Sequence, residues 1–315
     1  MKRPIVAALA LIALILCLAA FWGLQRRRAA PALVPNPSGE ATIEFLDVGQ
    51  GDAILIRSPE GKAALVDAGP SNKIVGLLQK RGVKRLDLVV VSHHHQDHYG
   101  GMGAVIGAFR PRVFLDADSP HVTANYLALL RKVKEAGITA IRPESEERKI
   151  ELGSILLRVF PAAPRDEHNE NNNSVGIRVE FGRFSALLTG DSEVNERRWL
   201  LAEASSLCDR VDVLKLAHHG SRNGIDAAWL ATTHPKVAVA SLGLANEFGH
   251  PHAETLRLLQ ADGIPLARTD RVGTIRVTTD GLTFSVEPPP DPAVSLVRLR
   301  KDGGRGLARP PARRP

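Results

Sequence analysis

The chain has 315 residues, of which 44% are hydrophobic and 24% are charged. This composition is typical of a globular protein, and it excludes a disordered, collagenous or multi-span membrane chain. The two cysteines are too few for a disulfide scaffold or a cysteine-based zinc site. The length fits one large domain with tails or two small domains.

The formal net charge of +7 would suggest a nucleic-acid binder if the positive charge lay on the folded body. Most of it lies at the two ends, because residues 1–28 and 288–315 together hold 12 basic and 2 acidic residues. The remaining 29 basic and 32 acidic residues give the middle of the chain a slight negative charge. Charge alone is therefore weak evidence for a phosphate-binding surface.

Residues 1–28 contain an uncharged run of twenty residues, from position 5 to position 24, with basic residues on both sides. The run is long enough to span a bilayer and predicts a membrane anchor. A cleaved signal peptide, with secretion of the rest, is the alternative. Positive charge on both flanks leaves the orientation open, and we expect the domain on the extracytoplasmic side.

The next segment, 29–40, is a proline-rich linker, and the folded domain is expected at 41–287. Residues 288–315 form a basic, proline-rich tail with too little apolar content to pack, so we expect it to be disordered.

The domain opens with short β-rich runs separated by turn residues: TIEFLDV, AILIRS and AALVDAG. SNKIVGLLQKRG then has the apolar spacing of a helix, and LDLVVVS reads as a buried strand. Three more helices are predicted at NYLALLRKVKEAG, SEVNERRWLLAEA and HAETLRLLQADG. Further strands are predicted at VGIRVEF, FSALLTG, VDVLKLA, KVAVASL, GTIRVTT and LTFSVE. This mixture predicts a layered α/β architecture.

The sequence SHHHQDHYGG, at 92–101, follows directly on the strand LDLVVVS. Its side chains should lie at the carboxyl end of that strand, the usual place for a site in an α/β fold. Histidine is the commonest metal ligand, and aspartate supplies a hard oxygen. The pattern therefore predicts a ligand set for one or two divalent ions, with His94 as the non-ligand; a solvated histidine-rich loop is the alternative. The predicted ligands are His93, His95, Asp97 and His98.

The HxHxDH spacing resembles the signature of the metallo-β-lactamase fold superfamily. The resemblance implies an αββα sandwich with two metal ions at one edge. It implies that Asp191, in LLTGDSE, bridges the metals, and that Asp67, in LVDAG, orients the histidine loop by hydrogen bonding. A plain turn residue is the alternative for Asp67. The last metal ligand falls on the pair His218 and His219; we assign it to His218, with His219 contacting substrate or supporting a ligand.

A closer resemblance is to the metallo-β-lactamase-like domain at the C-terminus of ComEC competence proteins. It is carried by FLDVGQGDAILI, NNNSVGIRV, LKLAHHGSRNG and SLGLANEFGHPHAETLRLL. The resemblance implies that four further residues line the site, although each could instead be a turn or cap residue: Asn173, Ser174, Ser221 and His250. ComEC proteins carry a many-span channel domain, whereas this sequence offers one span at most, so we do not expect it to form a DNA-uptake channel by itself.

The chain departs from the superfamily pattern in one metal ligand. Many hydrolases of the superfamily place a third histidine between the HxHxDH loop and the bridging aspartate, where this chain has DEHNENNNS. His168 does not fall on the pattern, and Asn173 occupies the expected position. An oxygen-richer first site would favour Mn²⁺ or a labile Zn²⁺, so the expected cofactors are two divalent ions, Zn²⁺ or Mn²⁺.

The resemblance implies a metal-dependent hydrolase that cleaves phosphodiester bonds, with DNA as the expected substrate. Asp97 would orient the nucleophile, and His219 or His250 would protonate the leaving group. A hydrolase of small esters, lactones or β-lactams is one alternative, and a non-catalytic binding module linked to DNA uptake is another. The body is only 4% aromatic and shows no obvious stacking platform for single strands. The oligomeric state is not predicted.

Overall fold

The computed structural model describes residues 38–290. The expected anchor or signal segment, nearly all of the linker and most of the tail lie outside these residues. Within 38–290, no helix combines the length and apolar character needed to cross a membrane.

Two β-sheets form the centre of the protein, and each is part antiparallel and part parallel. The eight-stranded sheet contains, from edge to edge, Phe284–Glu287, Ile275–Thr279, Ala41–Phe45, Ile54–Arg57, Ala63–Val66, Leu88–Val91, Val113–Asp116 and Thr139–Ile141. The seven-stranded sheet contains Leu266–Arg268, Val237–Ala240, Val213–Lys215, Phe184–Leu188, Ile177–Phe181, Ile155–Val159 and Arg148–Leu152.

Helices cover the outer face of each sheet. The α-helices are Lys73–Lys80, Gln96–Tyr99, Met102–Phe109, Ala124–Glu135, Val194–Glu203, Ser205–Cys208, Ala227–Thr233, Ala253–Ala261 and Thr269–Val272. Two short 3₁₀ helices lie at Glu170–Asn173 and Ala217–Gly220.

The alternation of side chains along the strands explains the layers. Ile54 and Ile56 pack between the two sheets, whereas Leu55 packs on the helix side with Ile74. Successive strand residues face opposite sides of a sheet, so a strand that is apolar at every position is buried on both faces. The result is the αββα sandwich that the resemblance implied.

The carboxyl ends of the parallel strands of both sheets meet at one edge of this sandwich. Chain segments that leave these ends carry the side chains that the sequence singled out, as expected for an α/β site. In chain order they are Asp67, the loop 92–98, Asp191, the pair His218 and His219, and the loop that begins at Ser241.

The turn before the strand Ile54–Arg57 packs directly against the backbone of Asp97. The Asp52 amide donates a hydrogen bond to the Asp97 carbonyl oxygen at 3.3 Å. Gly51 has a φ of 124°, and a Cβ atom there would overlap the same carbonyl oxygen. Only glycine allows this close approach in this conformation.

We expect Gly51→Ala to lower the unfolding temperature and to weaken metal binding, because the new methyl group must displace the Asp97 backbone. Gly49→Ala is the matched control: its φ is 83°, but a Cβ there meets open space. In the control, the free energy of unfolding should fall only by the cost of a non-glycine residue in the left-handed region, about 1–2 kcal/mol. Thermal unfolding and calorimetric titration with Mn²⁺ measure both effects. Equal losses in the two variants would contradict this account of Gly51.

Candidate metal centre

Asp67 holds the His98 ring in place. Its Oδ1 accepts a hydrogen bond from the Ser92 amide, and its Oδ2 accepts from the Ser92 hydroxyl and from His98 Nδ1, each at 2.7 Å. The bond at Nδ1 sets the orientation of the ring and leaves Nε2 for another partner. His98 Nε2 is buried without a hydrogen bond to the described residues, 3.3 Å from Asp191 Oδ2.

His219 is arranged in the same way. Its Nδ1 donates to the Ser241 carbonyl oxygen at 2.8 Å. Its buried Nε2 forms no hydrogen bond with residues 38–290 and lies 3.3 Å from Asp97 Oδ2 and 3.4 Å from Asp191 Oδ2. Three carboxylate and imidazole side chains thus converge around one point, at Asp97, His98 and His219.

His218 lies outside this group. Its Nδ1 is 2.8 Å from Glu193 Oε1 and 3.4 Å from Asn171 Nδ2. The hydrogen bond from His218 holds the pKa of Glu193 down at about 2, against the effect of burial. The structure therefore places His219, rather than His218, among the candidate ligands, the reverse of the assignment made from the sequence.

The backbone explains why His219, rather than His218, reaches the ligand group. His218 and His219 have φ values of 49° and 55°, two consecutive non-glycine residues in the left-handed region. Each such residue costs on the order of 1–3 kcal/mol and persists only where the surroundings impose it. The turn separates the two rings, whose centroids are 6.1 Å apart with planes at 72°, and directs only the second into the cluster.

His93 and His95 form a second group beside the first. His93 is fully buried, with Nε2 3.0 Å from His95 Nδ1 and 4.0 Å from Asp191 Oδ2. His95 is exposed at the start of the helix Gln96–Tyr99. The Asp191 carboxylate is therefore common to both groups of imidazoles.

His94 faces away from both groups, as expected for a non-ligand. Its Nε2 is 2.9 Å from Asp116 Oδ1, and its Nδ1 is 3.0 Å from the His121 carbonyl oxygen. Its ring stacks on Tyr126 with a centroid distance of 3.6 Å. His94 thus fixes the loop to the fold.

Charge in the cluster is shared between buried carboxylates and imidazoles. Burial by itself would lower the pKa of His98, but Asp191, Asp67 and Asp97 raise it well above its usual value. Burial likewise opposes the charged form of His219, but Asp191 and Asp97 raise its pKa to about 9. The pKa of Asp191 is held well below its usual value by His219 and His98, despite burial. The carboxylates therefore attract positive charge, which a divalent cation would supply in place of protons.

The donor set fits divalent metal ions. Imidazole nitrogen and carboxylate oxygen suit Zn²⁺ and Mn²⁺. The buried Nε2 atoms of His98 and His219, which lack hydrogen-bond partners in the described chain, are placed as ligand atoms. One group would consist of His93 and Asp191, with His95 beside His93, and the other of Asp97, His98, His219 and Asp191.

Sequence reasoning missed Lys215. Its side chain is fully buried, pairs with Asp52 and donates to the Gly190 carbonyl oxygen at 3.2 Å. The ammonium is also 3.6 Å from Asp191 Oδ1, so Oδ1 faces the lysine while Oδ2 faces the histidines. The available signal was a lysine inside the apolar strand VDVLKLA, where an unpaired charge would be costly.

Asp52 is a second buried charged residue beside the candidate ligands. Its carboxylate is almost fully buried and lies 3.7 Å from His219 Nδ1.

Asn173 does not take the position expected of it. Its Oδ1 accepts from the Asp166 amide at 2.9 Å, and its Nδ2 donates to the Asp166 carbonyl oxygen at 3.0 Å. Both the oxygen and the nitrogen of the Asn173 side chain thus bind the backbone of Asp166, in the same loop. His168 belongs to none of the metal-binding groups of histidine, cysteine, aspartate and glutamate found within 38–290.

Two serines named from the resemblance have supporting roles. The Ser174 hydroxyl accepts from the Asp191 amide at 3.1 Å and donates to the Asn171 carbonyl oxygen at 2.9 Å, so it positions the Asp191 backbone. The Ser221 hydroxyl accepts from the Asn223 amide at 3.3 Å and stabilises the turn after His219.

His250 lies beside the histidine pair, with its ring 5.3 Å from His218 and 6.3 Å from His219. Burial, followed by the neighbouring imidazoles of His218, His219 and His252, lowers its pKa to about 4. The ring is uncharged near neutral pH and carries no additional proton to donate.

Glu196 is a buried carboxyl group next to the loop 170–174. It lies on the helix Val194–Glu203 and is 5% exposed, and its Oε2 has no hydrogen-bond partner among the residues described. Burial raises its pKa to about 8.

We expect Glu196→Gln to stabilise the protein at pH 8.5 and to have little effect at pH 4.5. The folded state retains a proton that the unfolded chain releases above its ordinary pKa of 4.5, so the free energy of unfolding falls as pH rises from 4.5 through about 8. Urea unfolding at the two pH values measures the difference. Glu203→Gln, at an exposed position on the same helix, is the control. An equal effect of Glu196→Gln at both pH values would contradict the prediction.

We expect His219→Ala to weaken the binding of Mn²⁺ and Zn²⁺ by more than about 100-fold, because it removes a ligand atom. His218→Ala should weaken binding by less than about 10-fold, because its ring contacts Glu193 and Asn171, which are not candidate ligands, and only direct partners of ligands typically contribute about 10–100-fold. Calorimetric titration of the full chain gives both affinities. A larger loss of metal affinity in His218→Ala than in His219→Ala would favour His218 as the ligand, as assigned from the sequence.

The model of the metallo-beta-lactamase superfamily matches residues 46–244. ComE operon protein 3 of Bacillus subtilis is 27% identical over 287 residues, which cover 82% of this chain and 36% of that protein. Competence protein ComA of Neisseria gonorrhoeae is 30% identical over 252 residues, covering 76% of this chain and 32% of that protein. The chain thus spans about a third of the length of these relatives.

The crystal structure of a diphosphatase from the PhnP family shares the fold, with a TM-score of 0.50 and 17% identity over 76% of this chain and 98% of that one. The match to the family model covers more than half of the chain and includes the HxHxDH loop, Asp191 and His219. The chain belongs to the metallo-beta-lactamase superfamily and, within it, resembles the competence proteins.

Proposed function

We propose that this protein is a metal-dependent phosphodiesterase that cleaves nucleic acid. The observation that carries the proposal is the pair of ligand groups that share the Asp191 carboxylate. Such an arrangement suits two cations held close together, and two-metal sites are widely used for phosphoryl chemistry. The similarity to competence proteins supports DNA as the substrate.

Two divalent ions would activate water and neutralise charge on the phosphoryl oxygens. The protein's own contribution is to fix the ligands. Asp67 and the Ser241 carbonyl orient the rings of His98 and His219 by hydrogen bonding. Lys215 positions the Asp191 carboxylate by charge attraction.

Asp97 differs from the other carboxylates because its side chain is 33% exposed, whereas that of Asp191 is 3% exposed. It therefore lies on the open side of the cluster, where it can orient an attacking water molecule. Asp97 is next to His98 Nε2, at 3.8 Å, so its place in the ligand group is compatible with this role.

The structure does not favour either proton donor expected from the sequence. His219 is a candidate metal ligand, and His250 is uncharged near neutral pH. We therefore propose that bulk water, rather than either imidazole, supplies the proton to the leaving group. We also propose, from residues 5–24, that the domain is attached to a membrane on its extracytoplasmic side.

The full chain should cleave single- or double-stranded DNA when Mn²⁺ or Zn²⁺ is added, and chelation should abolish the cleavage. Asp97→Ala should reduce the rate by about 100-fold or more, because it removes both a ligand and the group that orients the nucleophile. Glu203→Ala, at an exposed position at the end of the helix Val194–Glu203, is the control and should cleave like the wild type.

Gel electrophoresis of labelled oligonucleotides measures this activity. Turnover of small esters or lactones without cleavage of DNA would replace the proposal with a small-molecule hydrolase. Inactivity on all of these substrates would favour a non-catalytic binding module.

A further inference from the structure

The loop between the strand Val237–Ala240 and the helix Ala253–Ala261 lies beside the metal centre; we call residues 241–252 the rim loop. Asn246 closes it: Nδ2 donates to the His250 carbonyl oxygen and Oδ1 accepts from the His250 amide, each at 2.9 Å. The Gly243 amide donates to Gln50 Oε1 at 3.2 Å. The rim loop is therefore held both within itself and against the turn that carries Asp52.

This ordered loop presents an aromatic ring to solvent. Phe248 is 54% exposed, and its ring lies nearly parallel to that of His250, at 25° with centroids 5.7 Å apart. The phenyl ring is thus beside the imidazole and more than half exposed. Because His250 is 6.3 Å from the ring of His219, Phe248 is two rings away from a candidate ligand.

His250 supplies an independent observation. The side chain is 8% exposed, yet its Nδ1 has no hydrogen-bond partner within the described residues. Buried polar atoms are normally paired, so an unpaired one in a site calls for a ligand. An apolar ring and an unpaired ring nitrogen therefore lie side by side at the edge of the metal centre.

We propose that Phe248 and His250 of the rim loop form a nucleobase-binding subsite, in which Phe248 stacks on a base next to the scissile phosphate and His250 Nδ1 hydrogen-bonds to the same nucleotide. A planar heterocycle with a polar edge matches both features, whereas an alkyl chain would leave the nitrogen unpaired. Base stacking on aromatic side chains contributes about 5- to 100-fold per base and tolerates every sequence.

This inference rests on the proposed function and narrows it. A base must leave its duplex partner to stack on a protein ring, so the subsite selects single-stranded or unpaired substrates. The low aromatic content suggested that no stacking platform was present, but one ring in the right place is sufficient for a single base.

The first test measures binding without turnover. Phe248→Trp in the full chain, with chelator present, should show fluorescence quenching by oligo(dT) beyond the wild-type background. An abasic oligonucleotide of the same length and charge should quench much less. Leu244→Trp, at an 82% exposed position on the same loop, is the matched control and should not distinguish the two oligonucleotides. Equal quenching of Phe248→Trp by both oligonucleotides would overturn the proposal.

The second test compares a base-bearing ester, thymidine 5′-monophosphate p-nitrophenyl ester, with bis-p-nitrophenyl phosphate, which has no base. Phe248→Ala should reduce the ratio of their kcat/KM values by about 5- to 100-fold, mainly through KM, and Phe248→Tyr should restore it. Leu244→Ala should leave the ratio unchanged. An unchanged ratio in Phe248→Ala would overturn the subsite while leaving the phosphodiesterase in place.

The two proposals fail differently. If the wild type cleaves neither ester nor DNA, the proposed function is wrong, and the fluorescence comparison still decides whether the rim loop binds a base.

Discussion

The arrangement of the candidate centre depends on the charge of one buried carboxylate. Asp191 Oδ1 faces the Lys215 ammonium, and Asp191 Oδ2 faces the imidazoles of His98 and His219. A buried carboxylate without such partners would be strongly unfavourable. The same partners hold its pKa well below the usual value, so it stays ionised and ready to bind cations. The other polar groups at this edge are arranged around that requirement.

The fold meets the requirement by bringing the ends of parallel strands from two sheets to one edge. Each delivers one or two polar groups from an otherwise apolar strand, and hydrogen bonds from the surrounding backbone orient them. Asp67 and the Ser241 carbonyl perform the same task for His98 and His219, from opposite sheets. Two consecutive left-handed residues and the close approach at Gly51 show that the surrounding structure maintains this geometry against local strain.

Beyond the ligands, the surroundings differ on the two sides of the cluster. Lys215 and Asp52 fill the buried side and compensate each other's charge. From His219, the rings of His250 and Phe248 on the rim loop continue outward to solvent. Because Phe248 is exposed beside the centre, the proposed base-binding subsite lies on a solvent-facing part of the cluster's surroundings.

The sequence by itself determined the chemical character of this protein: the HxHxDH spacing, Asp191 and the strand pattern depend on residue type and local periodicity, which are visible in one dimension. Short or largely exposed elements such as Arg148–Leu152 and Ser205–Cys208 were not predicted from the sequence, because their patterns are weak and tertiary contacts decide their conformation. Only the tertiary structure decided between His218 and His219, closed Asn173 onto Asp166, placed Lys215 beside Asp191, and placed Phe248 at the edge of the centre. These outcomes depend on backbone dihedral angles and on contacts between residues far apart in the chain, which residue order does not specify.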